Sequence, residues 1–206
     1  MPEGLSLAAS SPTMAERKRR VVREELTEAA LSLIAVEGYE HMTIERIAEA
    51  AGMSRRTFFR YFQSKEDLIV AFLGDVGRRL VEALAARPTR ETHAVAVRVA
   101  FSGFVDSCAQ HPGRVLRFTE IILADPSLRG HFLEKQSQWS AALATELARR
   151  AGKDVNADMG PSLAAAAAMA AFDTALNWWA AHGGAESLGD LFDRAFSQVS
   201  GALKAM

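Results

Sequence analysis

A chain of 206 residues that is 49% hydrophobic and 24% charged carries enough apolar material for a real core, which excludes disorder as its main state. Its 24 Lys and Arg against 25 Asp and Glu leave a formal net charge of -1, so any binding to nucleic acid must come from charge gathered locally. The single cysteine, Cys108, excludes an internal disulfide and a multi-cysteine metal site and fits a reducing, cytoplasmic setting.

Residues 1–14, with Ser10, Ser11 and Pro12, have the character of a flexible leader rather than of a signal peptide. Beyond them helical periodicity recurs and strand alternation is absent, which predicts an all-α chain of about nine helices. The first is expected over Arg17–Val36, with Val22, Leu26, Ala29, Ala30 and Leu33 on one face and Gly38 as a left-handed stop. Two short helices follow. Ser64 and Asp67 have capping-box spacing at the head of a longer helix, whose stripe is Ile69, Phe72, Val76 and Leu80 and which must end before Pro88. Thr92–Gln110 and Pro112–Ala124 read as further helices, and Asp125 with Pro126 caps one reaching Arg150. After Gly152 the last two run Pro161–His182 and Ser187–Leu203, with Ser187 and Asp190 repeating the capping spacing. No apolar run is long enough to span a bilayer, since Ala164–Ala171 is rich only in alanine, so no membrane partner is expected.

Residues Ile44–Gln63 fit the helix-turn-helix template. Ile47, Ala51, Met53, Phe58 and Tyr61 fall where its two helices must pack, Ala48 is the small contact residue, Gly52 can take the positive φ of the turn, and Ser54 caps the second helix as Thr43 caps the first. Arg55, Arg56, Thr57, Phe59 and Arg60 are left facing outward, where arginine can meet guanine and threonine a thymine methyl in a major groove. Lys65, on the first turn of the next helix, can set its charge against a phosphate. Arg17, Lys18, Arg19 and Arg20 lie ahead of the expected first helix. They read either as an arm against phosphates and the minor groove or as a solvated helix start that opposes the positive end of the helix dipole.

From Arg23 to Leu68 the chain resembles the DNA-binding domain of the TetR family, through the words GYEHMTIERIAEAAGMSRRTFFRYFQSKEDL. The resemblance implies an N-terminal three-helix DNA-binding domain, assigned to residues 15–64, and a helical regulatory domain, residues 65–206, with a ligand cavity and a dimer face. It implies a regulator, most simply a repressor, that grips palindromic double-stranded operator DNA as a homodimer and is released by a small molecule. The family's usual contacts fall on Thr43, Arg55, Arg56, Thr57, Phe59, Tyr61 and Lys65. Two departures bear on base preference: Phe59 stands where a tyrosine is common, removing a phosphate-bonding hydroxyl, and the pair Arg55 and Arg56 replaces smaller residues. The Arg-Arg-Thr-Phe-Phe-Arg-Tyr-Phe string is similar to that of regulators near the mycofactocin-type group, some of which respond to acyl-CoA thioesters, which implies an apolar or acyl-CoA-like effector.

In the C-terminal part, Phe101, Phe104, Cys108, Phe118, Ile122, Trp139, Leu143, Met169, Phe172 and Trp178 are candidates for the cavity wall, because aromatics amid so much alanine suggest an apolar pocket. The last helix carries Leu188, Leu191, Phe192, Ala195, Phe196, Val199 and Leu203, a stripe wide enough for two partners, and with the alanines of Leu163–Ala171 it is the candidate dimer interface. The five histidines have no metal-ligand spacing and no nucleophile constellation or phosphate loop is present, so neither a metal, a cofactor nor catalysis is expected. The competing readings are an all-helical carrier of small ligands without DNA binding, and an enzyme with its chemistry in the C-terminal cavity.

Overall fold

The computed structural model describes residues 13–205, with side chains through position 199. Among these, nine helices and no strand are found, as the periodicity predicts. Helix α1 spans Met14–Glu37, α2 Ile44–Ala50, α3 Arg55–Tyr61, α4 Lys65–Ala85, α5 His93–Ala109, α6 Pro112–Ala124, α7 Pro126–Ala151, α8 Gly160–Ala181 and α9 Leu188–Ala205. Most of the leader lies outside the described residues.

Helix α1 starts earlier than expected because Thr13 and Glu16 form a capping box. The Thr13 hydroxyl accepts from the Glu16 N–H at 3.2 Å, and a Glu16 carboxylate oxygen accepts from the Thr13 N–H at 2.7 Å. Met14, expected in the leader, therefore lies inside it, and Arg17 to Arg20 form part of the helix rather than an arm ahead of it. Glu16, not the basic run, meets the positive end of the dipole, and these hydrogen bonds hold its carboxyl below the ordinary glutamate range. At the other end Gly38 stops the helix with φ 85° and ψ 163°, a mirror-extended conformation and not the expected left-handed helical one.

The remaining starts follow their caps. Ser64, Thr92 and Asp125 accept from the N–H of Asp67, Val95 and Leu128 at 3.1, 3.4 and 2.9 Å. The Ser64 box is not reciprocal, since the Asp67 carboxylate turns to the Gln63 N–H at 2.9 Å.

A continuous apolar cluster runs through both halves of the described chain, from Leu26 and Phe58 by way of Ile69 and Val76 to Phe192. Helix α4 carries it across. Its first turns bury Leu68 and Ile69 beside α1, and its later turns bury Val76, Leu80 and Leu84 against α5 and α7. Its last turn is held by Arg150 of α7, whose guanidinium donates to the Leu84 carbonyl at 3.3 Å and, just past the helix, to the carbonyls of Arg87 at 2.6 Å and Pro88 at 2.7 Å. Helix α8 packs between α7 and α9, and α6 lies against α1.

Midway along α4, Gly77 admits the indole of Trp139 against the helix backbone: a Cβ there would stand 2.0 Å from Trp139 Cδ1. Gly77→Ala is accordingly expected to lower stability by about 1–3 kcal/mol through overpacking, read as a shift of the urea midpoint at unchanged slope. An unshifted midpoint would show that the indole is free to move aside.

Candidate DNA interface and effector cavity

The DNA-reading unit is assembled by short-range geometry. Thr43 caps α2 by accepting from the Arg46 N–H at 3.3 Å. Gly52, at φ +63°, turns the chain so that the Met53 N–H reaches the Ala48 carbonyl at 2.7 Å, and Ser54 then caps α3 by accepting from the Thr57 N–H at 3.1 Å. Ile47, Ala48 and Phe58 are buried where α2 and α3 cross, and Ala51, Met53 and Tyr61 pack against them partly buried. Phe62, which the template does not single out, is also buried and lies against Phe58 at 5.7 Å between ring centroids.

What remains outside is basic and aromatic. Arg55, Arg56, Phe59 and Arg60 are exposed, Phe59 at 45% of its surface, while Thr57 is half-buried with its hydroxyl 2.9 Å from that of Ser54. The exposed arginines are partly pre-positioned by neighbours. Arg55 Nε stands 3.2 Å from a Glu45 carboxylate oxygen and its guanidinium 5.4 Å from the Phe59 ring centre. Arg60 donates to the Tyr61 hydroxyl at 3.1 Å, and Arg56 has no ion-pair partner among the described residues. Arg23 of α1 donates to the Tyr61 carbonyl at 3.3 Å and lies 4.5 Å from the Phe62 ring centre, fastening the end of α3 to α1. Nothing in the sequence marks these roles of Arg23 and Glu45, because both act through contacts with no local spacing signal.

Lys65 has a structural task. It is half-buried, donates to the carbonyls of Tyr39 and Met42 at 3.1 and 3.2 Å, and sits 4.1 Å from the Tyr39 ring centre. The Tyr39 hydroxyl donates to Glu66 at 2.7 Å, and burial together with that carboxylate pushes its pKa well above the ordinary tyrosine range. The α1–α2 loop is thus tied to the head of α4, and the ammonium keeps one of its three hydrogens for another acceptor. On α1, Arg17, Lys18, Arg19 and Arg20 are all exposed, with Arg20 3.8 Å from Glu24 in a loose ion pair.

A cavity of about 1470 Å³ opens between α1, α4, α5 and α6 and is floored by α7 and α8. Of the candidate wall residues, Phe104, Cys108, Phe118, Ile122, Trp139 and Phe172 line it. Phe72 of α4 joins them, meeting Phe118 edge-on at 5.4 Å, as do Val76 and Leu80; these appeared in the sequence only as core stripe. Burial pushes the Cys108 thiol up to about 11, which keeps it a protonated wall group and a poor nucleophile.

Four candidates are not in the wall. Phe101 is stacked on Phe192 at 5.2 Å in the core between α5 and α9, and Leu143 and Met169 are buried between helices. Trp178 is 50% exposed on the outer side of α8, its ring stacked on His182 at 4.2 Å. One step along a helix turns a side chain by about 100°, so it is Trp179 that points inward, donating to the Glu186 carbonyl at 3.0 Å.

The candidate dimer stripe also divides. Leu188, Leu191 and Phe192 are buried within the protomer, because α9 packs on α5 and α8, and therefore offer little surface to a second copy. Ala195, Phe196 and Val199 are only partly buried, and Leu203 lies outside the described side chains. On α8, Leu163 and Trp178 are half-exposed.

Two family models match the chain. Residues 26–72 match the bacterial regulatory proteins of the tetR family, and residues 91–204, more than half of the chain, match the MftR C-terminal domain. The chain belongs to the TetR family of transcriptional regulators. The MftR match agrees with the resemblance to the mycofactocin-type group drawn from the recognition helix. The HTH-type transcriptional regulator TcmR of Streptomyces glaucescens is 32% identical over 158 residues, covering 74% of this chain and 70% of the relative. The HTH-type transcriptional repressor AcnR of Corynebacterium diphtheriae is 29% identical, covering 68% and 70%. Among solved structures, FadR from Bacillus subtilis in complex with stearoyl-CoA superposes with a TM-score of 0.62 at 17% identity, covering 85% of this chain and 96% of that one, which is a likeness of fold. These relatives are regulators of transcription and not enzymes. No helix of the described residues is long and apolar enough to cross a membrane.

Because Lys65 bridges two carbonyls, Lys65→Met is expected to lower the stability of this TetR-family protein by about 1–3 kcal/mol in urea titration, with or without DNA. Full retention of stability would show that the carbonyls find water instead.

Proposed function

We propose that this TetR-family regulator is a cytoplasmic repressor that binds a palindromic operator as a homodimer and leaves it when a largely apolar effector fills the cavity between α1, α4, α5 and α6. The observation that carries the DNA half of this reading is the outward face of α3, where Arg55, Arg56, Phe59 and Arg60 stand together while Phe58 and Phe62 seat the helix from behind. Such a face has no use in a carrier of small ligands. In a major groove Arg56 would donate two bonds to a guanine edge. Arg55 would exchange Glu45 for a base or a phosphate, and Phe59 would pack against a thymine methyl or sugar. The third Lys65 hydrogen, the caps Thr43 and Ser54, and Thr57, Tyr61 and the exposed Arg17 and Lys18 complete the proposed contact set along the phosphates.

A single recognition helix binds weakly, and half-sites about 34–36 Å apart call for two copies related by a twofold axis. The surface best suited to that contact is the outer side of α8 and α9. There Leu163 and Trp178 are half-exposed and Phe196 and Val199 incompletely covered, next to small alanines that allow close approach. The division into a DNA-binding part at 15–64 and a regulatory part from 65 onward is a functional one, since α4 and the apolar cluster run through both.

The effector reading rests on the cavity itself, walled by Phe72, Phe104, Phe118, Trp139 and Phe172 and large enough for an extended apolar chain. The stearoyl-CoA held by the FadR fold relative supports an acyl-CoA-like ligand.

Two outcomes test the reading. Arg56→Ala is expected to weaken operator binding by about 1–3 kcal/mol and to relax preference at one base pair, measured by fluorescence anisotropy on a substitution series; equal affinity for every sequence before and after would remove α3 as the reader. Trp178→Asp is expected to yield monomers in sedimentation velocity and to abolish tight operator binding, whereas a dimeric variant would place the interface elsewhere.

A further inference from the structure

Beside the apolar cavity lies a second, smaller groove of about 590 Å³ between the first turns of α1 and the middle of α4. Arg19, Arg20 and Arg23 come to it from α1, and Arg78 and Arg79 from α4. The two spaces are neighbours, for Arg23, Glu24, Asp75 and Arg79 line both. We propose that this arginine groove is an anion subsite of the effector site. The effector, on the reading above, is then an amphiphile whose chain fills the cavity and whose phosphate-bearing headgroup sits between α1 and α4.

Five guanidinium groups in one groove repel one another unless anions compensate them, and the carboxylates present are too few and already engaged. Glu16 is bound to the α1 cap, Asp75 is held by Arg78 at 3.1 Å, and Glu24 stands 3.8 Å from Arg20. Arg78 is committed further to Glu82 at 3.0 Å. Arg19 and Arg79, one on each wall, have no ion-pair partner among the described residues and are exposed, so both forks are free to close on a tetrahedral dianion.

Two features favour a ligand headgroup over the DNA backbone as the occupant. The groove borders an apolar cavity, which a duplex cannot enter. Arg79 also lies roughly 20 Å along α4 from Lys65, at about 1.5 Å per residue, well away from the helix that faces DNA. An anion bridging Arg19 and Arg79 would fix the angle between α1 and α4, which links headgroup recognition to the position of α3 through Arg23 and Tyr61. It would also withdraw Arg19 and Arg20 from any contact with DNA phosphates.

The experiment is calorimetric titration of the full-length protein with palmitoyl-CoA, palmitoyl lysophosphatidate, palmitate and free CoA, repeated with the octanoyl compounds. Wild type is expected to bind at least one phosphate-bearing lipid about tenfold or more tightly than the carboxylate of the same chain, and the first two ligands separate a nucleotide thioester from a phospholipid as its source. In Arg79→Ala the ratio should fall towards one and in Arg79→Glu below one, while Arg129→Ala, an exposed change on α7, keeps the wild-type ratio. Thermal unfolding of each variant excludes misfolding as the cause. Equal binding of the phosphate and carboxylate lipids by wild type, or a ratio preserved in Arg79→Glu, overturns the anion subsite and leaves the apolar-effector reading standing. Binding of none of the acyl compounds overturns both.

Discussion

The structure depends on α4 being one uninterrupted helix with obligations at three points along its length. Its head is tied to the α1–α2 loop through Lys65 and the Tyr39–Glu66 hydrogen bond. Its middle is pressed by Trp139 at Gly77, where even a Cβ would displace the indole, and its tail is held by Arg150. A helix clamped at the tail and loaded in the middle behaves as a lever. A tilt of about 5° over roughly 20 Å of helix displaces the far end by about 2 Å, comparable to the precision with which a side chain must meet a base edge. The contact between Gly77 and the indole is also where the cavity wall and the lever coincide, since Trp139, Val76 and Leu80 face the same space.

At the far end of that lever the reading unit is rigid for local reasons. Phe58 and Phe62 are buried almost completely, Arg23 holds the last carbonyl of α3, and the turn at Gly52 leaves no slack between α2 and α3. A shift of α1 relative to α4 therefore moves α3 as a body. Its exposed arginines are not wholly unconstrained before DNA arrives: Arg55 rests between Glu45 and Phe59, and Arg60 against Tyr61. Those contacts limit rotamer freedom at small electrostatic cost, because exposed ion pairs contribute at most about 1 kcal/mol, and they are readily exchanged for a stronger acceptor.

Where the controlling physics was local, the sequence was legible. Side-chain caps at Ser54, Ser64, Thr92 and Asp125, the prolines at 112 and 126 and the turn glycine at 52 each act within a few residues, so helix order and the helix-turn-helix register could be read directly. Thr13 and Glu16 carry the same signature at the start of α1, but the basic run behind them is unfavourable near the positive end of a helix dipole and masks it. Facing was harder than existence. In α8 nearly every position is apolar, so nothing in the pattern separates Trp178 from Trp179, and only packing against α7 and α9 decides which turns inward. The same ambiguity concealed that Leu188, Leu191 and Phe192 belong to the protomer's own core. Long-range duties of Arg23, Lys65, Glu45 and Arg150 left no mark at all, since each depends on a partner brought near by the fold.

The switching energetics place a limit on how much the cavity has to do. Shifting operator occupancy appreciably takes a coupling free energy of about 1–3 kcal/mol. At about 25 cal/mol per Å² of apolar surface removed from water, a difference of roughly 80 Å² in the contact an effector makes with the two positions of α4 would supply about 2 kcal/mol. An area of that size is less than one aromatic side chain buries, so no wholesale rearrangement of the regulatory helices is required. The wall opposite is anchored separately: Arg114 of α6 pairs with Glu28 of α1, and both lie at the cavity rim. An effector that enters between them meets one wall held by an ion pair and another formed by a lever. On the proposed mechanism α4 is the wall that yields, because its head leads directly into α3.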